Sequence, residues 1–126
     1  MFKQEKRNEI FDSIIANAGG TFSFTGEPVS FPDGYAVSLA GFETITPLEG
    51  LSATNFVNLA NDLVRKVDGL ADPSTHFIGA WIEDGNLYID LSVRVEDKER
   101  ALVKAANADQ LAIWDFANGE SVTVAA

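Results

Sequence analysis

The side chain best suited to proton transfer near neutral pH is the single histidine, His76. Histidine often serves as a general acid or base, but the role requires a partner held at a fixed distance. No serine in the chain fits a nucleophile-elbow pattern. The chain has no cysteine, which excludes thiolate catalysis and cysteine-bound zinc or iron–sulfur sites. We therefore predict a non-enzymatic protein with no catalytic residues, and a small enzyme that uses His76 is the alternative.

The segment Glu83-Asp84-Gly85-Asn86 places three oxygen-bearing side chains near a predicted tight turn. A hard cation needs several oxygens that converge in a compact loop, and this segment is too short to wrap one. Asp-Gly is also the pair that a type I′ turn requires. The glycines elsewhere complete no phosphate-binding or dinucleotide-binding motif. We therefore expect neither a metal site nor a cofactor.

The aromatic residues Trp81 and Tyr88 flank that turn symmetrically. If Asp84 and Gly85 form the turn of a hairpin, Trp81 lies directly opposite Tyr88, and alternation places both on one side of the sheet. The same side then carries Phe77, Gly79, Asp90, Ser92 and Arg94. The opposite side is largely aliphatic, with Ile78, Ala80, Ile82, Leu87, Ile89, Leu91 and Val93, and is the predicted core face.

Large aromatic side chains surrounded by acids are typical of a protein-binding surface, because Trp and Tyr often anchor interfaces. The predicted binding residues are Trp81, Tyr88, Asp90, Asp84, Glu83, Trp114 and Asp115. One alternative stays open. The N-terminal helix or segment 21–34 covers the rings, which then form a second small core.

The formal net charge is −10, from 19 acidic and 9 basic residues. No Lys or Arg occurs between Arg7 and Arg65, or between residues 67 and 93, so the predicted hairpins carry acids alone up to Arg94 at the end of the strand 86–95. This charge disfavours direct binding to nucleic acids or anionic membranes and favours attraction to basic surfaces. Solubility alone is the simpler explanation of such acidity.

Three helices and several strands are predicted. Helical composition marks residues 3–17, an amphipathic pattern follows the N-cap Ser52 as far as Val67, and Asp97 caps a helix over about 97–107. Alternation and turn residues predict strands. The first strands are a short one near 21–25 and two around Ala40-Gly41, at 35–39 and 42–46. Two hairpins follow, one at 76–83 and 86–95 and one at 111–116 and 120–124. Asn118-Gly119 in the second hairpin is another type I′ turn pair.

Hairpins separated by helices predict an α+β fold, in which helices pack on one face of an antiparallel sheet. The expected order is α-ββ-α-ββ-α-ββ in a single domain over residues 1–126, with the N-terminal helix 3–17 as a candidate peripheral element. No apolar run approaches the roughly 18 residues that span a bilayer, and no signal peptide is evident. We therefore expect a cytoplasmic protein without a membrane partner.

Four segments carry a resemblance to known proteins: Gly34–Leu39, Phe77–Gly85, Leu87–Asp90 and Gln110–Asp115, followed by Asn118-Gly119-Glu120. Together they resemble small uncharacterised acidic proteins encoded by actinobacterial phages and mobile elements, over roughly residues 34–122. The resemblance implies a genomic setting and a host-cell location, with no activity and no functional residues to carry over.

The functional expectation is an acidic accessory protein that binds a protein partner with a basic surface. A narrower version is a nucleic-acid mimic or an inhibitor of host defence. The alternative class is a structural or assembly component, such as a virion protein or a homo-oligomer joined through strand edges.

Overall fold

The structure, a computed structural model, describes residues 1–124. The predicted domain range also included 125–126, which lie outside the described residues. A short 3-10 turn at Gln4–Lys6 leads into the first helix. The helices are α1 (Arg7–Asn17), α2 (Ala53–Lys66) and α3 (Lys98–Asn107). The strands are β1 (Gly19–Phe22), β2 (Tyr35–Ser38), β3 (Thr44–Pro47), β4 (His76–Glu83), β5 (Asn86–Val95), β6 (Ala112–Asp115) and β7 (Glu120–Thr123).

The strands form one antiparallel sheet in the order β1-β4-β5-β2-β6-β7, with β3 also beside β5. The predicted α+β class and antiparallel sheet are confirmed. The implied hairpin around Ala40-Gly41 is wrong, because β2 and β3 do not pair with each other. Instead β2 pairs with residues 92–95 and β3 with residues 86–89, so both lie along the same edge of β5. Gly41, at φ 85°, helps the chain loop out between them.

Side-chain caps fix the starts of the two later helices as predicted. Ser52 Oγ accepts the backbone N–H of Asn55 at 3.1 Å, which satisfies one of the free donors in the first turn of α2. Asp97 Oδ2 accepts the backbone N–H of Arg100 at 2.9 Å in the same way at α3. Each cap contributes about 1 kcal/mol to helix stability.

All three helices pack on one face of the sheet, called here the helix face. Under α1 and α2 lies the main core, which includes Ile14, Phe56, Ile78 and Ile89, all fully buried. Under α3 lies a smaller cluster of Val37, Ala101, Ala105 and Ile113. Val37 pairs with Val93, which has the same orientation on β5 as Leu91 and Ile89, so both clusters share one side of the sheet.

The N-terminal segment is integral to the main core. Phe2, Ile10 and Ile14 are buried there, and the ring of Phe2 packs edge-on against Phe56. The backbone of Phe2 also exchanges two hydrogen bonds with the Asn61 side chain, at 2.7 and 3.0 Å. Helix α1 is therefore part of the core rather than a peripheral element.

The two hairpin turns differ from each other. Asp84 and Gly85 have φ of 51° and 77°, which confirms a type I′ turn there. The same prediction for Asn118-Gly119 is wrong. Of that pair only Gly119 has a positive φ, and pairing stops at Asp115 and Glu120, which leaves a four-residue loop. The cause is the Asp115 carboxylate, which accepts hydrogen bonds from the backbone and side chain of Asn118 and from Ala117.

Among residues 1–124, none of the helices combines the length and apolar character needed to cross a membrane.

Candidate functional site

The side of the sheet opposite the helices, called here the open face, carries a row of three large side chains. Tyr88 pairs with Trp81 on β4 and with Ile45 on β3, so these residues lie side by side across three strands. The side chain of Ile45 is 53% exposed, and Trp81 and Tyr88 are half-buried. The next position in the row, on β1, is Gly19, which adds no side chain. The predicted register that places Trp81 opposite Tyr88 is confirmed.

Segment 21–34 covers a different part of the open face. The ring of Phe31 packs edge-on against Phe77 and Phe116, with centroid distances of 5.3 and 5.1 Å. The Arg94 guanidinium lies 5.0 Å from the Phe31 centroid and pairs with Asp33. Segment 21–34 therefore forms a second small core over Phe77 at this end of the open face, and the aromatic contacts of this core include neither Trp81 nor Tyr88.

Asp90 lies on the open face but is only 2% exposed. Its carboxylate accepts hydrogen bonds from Ser38 Oγ at 2.6 Å and from Ser92 Oγ at 2.9 Å. Directly across on β4 is Gly79, where any Cβ would overlap Asp90 Oδ1. The carboxylate therefore occupies space that exists only because position 79 has no side chain.

Burial raises the pKa of Asp90 to about 6, against the lowering effect of the two serine hydroxyls. The negative charge of nearby Glu43 raises this pKa further. Enclosed in this way, the carboxylate contacts Ser38 and Ser92 rather than solvent. This buried carboxyl group can therefore bind or release one proton when the solution is mildly acidic.

Exposed carboxylates surround the row of large side chains. Glu83 and Asp84 lie at the exposed tip of the β4–β5 hairpin, and Glu43 is exposed just before β3. Within the part of the chain that the structure describes, none of these three carboxylates forms an ion pair. The row thus has an acidic rim whose charge is not neutralised internally.

The structure separates the remaining two predicted binding residues. Trp114 pairs with Ala36, which in turn pairs with Arg94, so Trp114 is half-buried on the open face, two strands away from β5. Asp115 is the next residue, so its side chain points to the helix face and does not lie on the same surface as the row. Hydrogen bonds from Asn118 hold the pKa of Asp115 below its usual range, as expected of a turn-capping carboxylate.

His76 lies at the start of β4 in a polar turn. Its Nδ1 is 2.9 Å from Thr75 Oγ1 and 3.1 Å from the carbonyl oxygen of Asp72. The Ser74 hydroxyl does not bond the imidazole. Instead the hydroxyl and the backbone N–H of Ser74 both donate to the carboxylate oxygen Oδ1 of Asp72. These bonds hold the pKa of Asp72 below its usual range. The described residues contain no group of three potential metal ligands.

Sequence reasoning missed Ile45 and Glu43 as members of this surface. The sequence predicts that their strand pairs with β2, its neighbour in the chain, and this pairing gives no relation to Trp81. One signal was present, because Glu43 and Ile45 alternate with Thr44 and Thr46. That alternation does not reveal the partner strand, because β3 pairs with β5, which lies about 40 residues further along the chain.

No known protein family matches this sequence, and neither curated proteins nor solved structures offer a significant match.

Proposed function

We propose that this chain is a non-enzymatic accessory protein that binds a protein partner with a basic surface. The contact surface is the row of Ile45, Tyr88 and Trp81 together with its acidic rim. The observation that carries the proposal is this row, which lies on the side of the sheet without helices and is only partly covered by the chain itself.

The apolar part of the surface suits an interface anchor. Trp and Tyr are over-represented among residues that dominate binding energies, because they bury a large area and lose few rotatable bonds. The Trp81 indole N–H is also buried without a hydrogen-bond acceptor among residues 1–124, an arrangement that costs stability. A phenylalanine at this position would avoid that cost.

The rim supplies attraction at a distance. Glu43, Glu83 and Asp84 have no internal counter-ion among the described residues, and the whole chain carries a net charge of −10. Such a surface accelerates encounter with a basic partner and repels polyanions such as nucleic acids. The genomic setting that we propose, a phage or mobile element in an actinobacterial host, rests on the resemblance of the sequence segments alone.

The test is quantitative capture from an actinobacterial lysate with immobilised protein, at about 50 mM and about 500 mM salt. We expect a partner whose captured amount falls as salt rises. We expect Trp81→Ala and Tyr88→Ala each to reduce its affinity at least about tenfold, because loss of an anchor costs about 2 kcal/mol or more.

Matched controls separate the surface from general properties of the chain. Leu111→Ala and Val103→Ala truncate residues that are 85% and 60% exposed outside the row and its rim, and both should leave capture unchanged. Glu43→Gln with Glu83→Gln should weaken capture more than the equal charge change made by Asp12→Asn with Asp68→Asn. If all variants lose capture equally, the binding depends on the net negative charge and not on this surface. If the Trp81 and Tyr88 variants capture the partner as well as wild type does, the open face is not the contact surface.

A further inference from the structure

The sheet has three strands at its margins, and two of them are protected against pairing with another chain. An unpaired strand edge presents free N–H and C=O groups, and proteins usually cover it or interrupt it. Along β1 the returning chain covers the edge. Val29 donates its N–H to the Thr21 carbonyl oxygen at 2.9 Å, and Phe22 forms a bridge with Pro28.

Strand β3 is protected by proline. The Leu48 N–H donates to the Gly85 carbonyl oxygen at 2.9 Å, in the same register as the pairing of β3 with β5. Because antiparallel residues alternate between bonded and non-bonded pairs, Thr44 and Thr46 point their backbone groups toward β5. Ile45 and Pro47 point theirs outward, so the missing N–H of Pro47 falls on the free edge.

Strand β7 has neither kind of protection. Within residues 1–124 no strand pairs with its outer edge, and its sequence, Glu120–Thr123, contains no proline and no lysine. The Val124 N–H donates to the Leu111 carbonyl oxygen at 2.8 Å, in register with the β6–β7 pairs. The bonded positions of β7 are therefore Val122 and Glu120, and the backbone groups of Ser121 and Thr123 point outward.

We propose that β7 pairs antiparallel with β7 of a second copy of this chain. The outward groups of Ser121 and Thr123 are arranged symmetrically about Val122. A two-fold axis at Val122 places Ser121 opposite Thr123 of the second copy, and Thr123 opposite Ser121. Both pairs are then fully hydrogen-bonded, and the two sheets become one continuous sheet.

The side chains of β7 agree with this register. Val122 meets its own counterpart on the helix face, at a non-bonded position where side chains approach most closely. Ser121 and Thr123 face each other on the open face, a favourable hydroxyl pair. Glu120 lies opposite Val124 rather than opposite another Glu120, so the register sets no like charges directly across from each other. These side-chain pairs, with Val122 against Val122 and Ser121 against Thr123 and with no like charges directly opposed, are what favours a second copy as the partner strand.

The test is sedimentation equilibrium of the full chain from about 10 µM to about 1 mM, with backbone amide NMR over the same range. We expect a rise from one to two chains per particle, with concentration-dependent shifts centred on Ser121, Val122 and Thr123. We expect salt to strengthen the association, because two copies that each carry −10 repel one another less when screened. Capture of a basic partner should instead weaken with salt, so the two proposals fail separately.

Proline placed at an outward position removes one N–H of the free edge and leaves the β6 pairing intact. Thr123→Pro should therefore weaken the association at least tenfold, whereas Thr123→Ala, which keeps the N–H, should not. Ser121→Pro provides a second variant if Thr123→Pro disturbs the hairpin. A single-chain mass for the wild type at the highest concentration would overturn the proposal. So would shifts centred on another strand, or an association that salt weakens.

Discussion

Replacing Asp90 with Asn tests the physical account of the open face, because it removes a buried charge without removing the side chain. Burial raises the pKa of this carboxyl from 3.8 to about 6. One pKa unit corresponds to about 1.4 kcal/mol, so the ionised side chain costs the folded protein about 3 kcal/mol. The Asn amide keeps the size of the side chain and can bond both Ser38 and Ser92.

The sign of the pH dependence follows from proton binding. Between pH 3.8 and about 6 the folded protein retains the Asp90 proton, while the unfolded chain has already released it. The wild type therefore loses stability as pH rises through this range, and the loss is complete above it. Relative to the wild type, Asp90→Asn should be about equal at pH 4 and more stable by up to about 3 kcal/mol at pH 7.5.

Urea unfolding at a series of pH values, followed by tryptophan fluorescence, measures this difference. The lowered pKa values of Asp72 and Asp115 cause losses of stability in stronger acid, but they are common to both proteins and cancel. Asp68→Asn removes an exposed carboxylate and should show a small, nearly constant difference. A constant difference for Asp90→Asn as well, or a variant less stable than wild type at pH 7.5, would refute the reasoning from burial.

Three further variants test other contacts in the fold. Gly79→Ala should destabilise the protein by about 1–3 kcal/mol in urea unfolding, because its Cβ overlaps Asp90 Oδ1, and Asp90→Ala should remove most of that cost. Trp81→Phe removes an indole N–H that is buried without an acceptor in the described part of the chain, so its unfolding free energy should stay within about 1 kcal/mol of wild type while partner capture weakens. Asp115→Ala leaves the backbone N–H groups of Ala117 and Asn118 without their acceptor, and should cost about 2 kcal/mol in thermal unfolding.

The parts of the fold that sequence could predict are those set by local chemistry. The β4–β5 register follows from Asp84-Gly85, because both positions take positive φ and leave only one alignment of the strands. The same reasoning failed at Asn118-Gly119. There a carboxylate three residues upstream of Asn118, Asp115, competes for the turn and selects a longer loop. A residue pair such as Asn-Gly predicts a type I′ turn only when no neighbouring side chain forms competing hydrogen bonds with the backbone.

The parts that sequence could not predict depend on contacts between distant segments. Ala40-Gly41 has the composition of a hairpin turn, but β5 is long enough to pair with β2 and β3 in succession along one edge. This arrangement brings Ile45 beside Tyr88, a contact that no local pattern contains. The cover of Phe31 over Phe77 and Phe116 has the same origin, since it joins segments far apart in the chain.

The two proposed surfaces lie at different places on the sheet and can be used at once. The row at Ile45, Tyr88 and Trp81 crosses β3, β5 and β4, whereas the edge proposed for self-pairing is β7, separated from β5 by β2 and β6. Pairing through β7 leaves the row uncovered and gives the particle two copies of it. A partner that presents two basic sites would then bind the paired form more tightly than one chain, by effective concentration rather than by any new contact. Thr123→Pro should therefore weaken binding to a partner with two basic sites but leave the affinity for a partner with one basic site unchanged. If Thr123→Pro binds the two-site partner as tightly as wild type does, the two surfaces act independently.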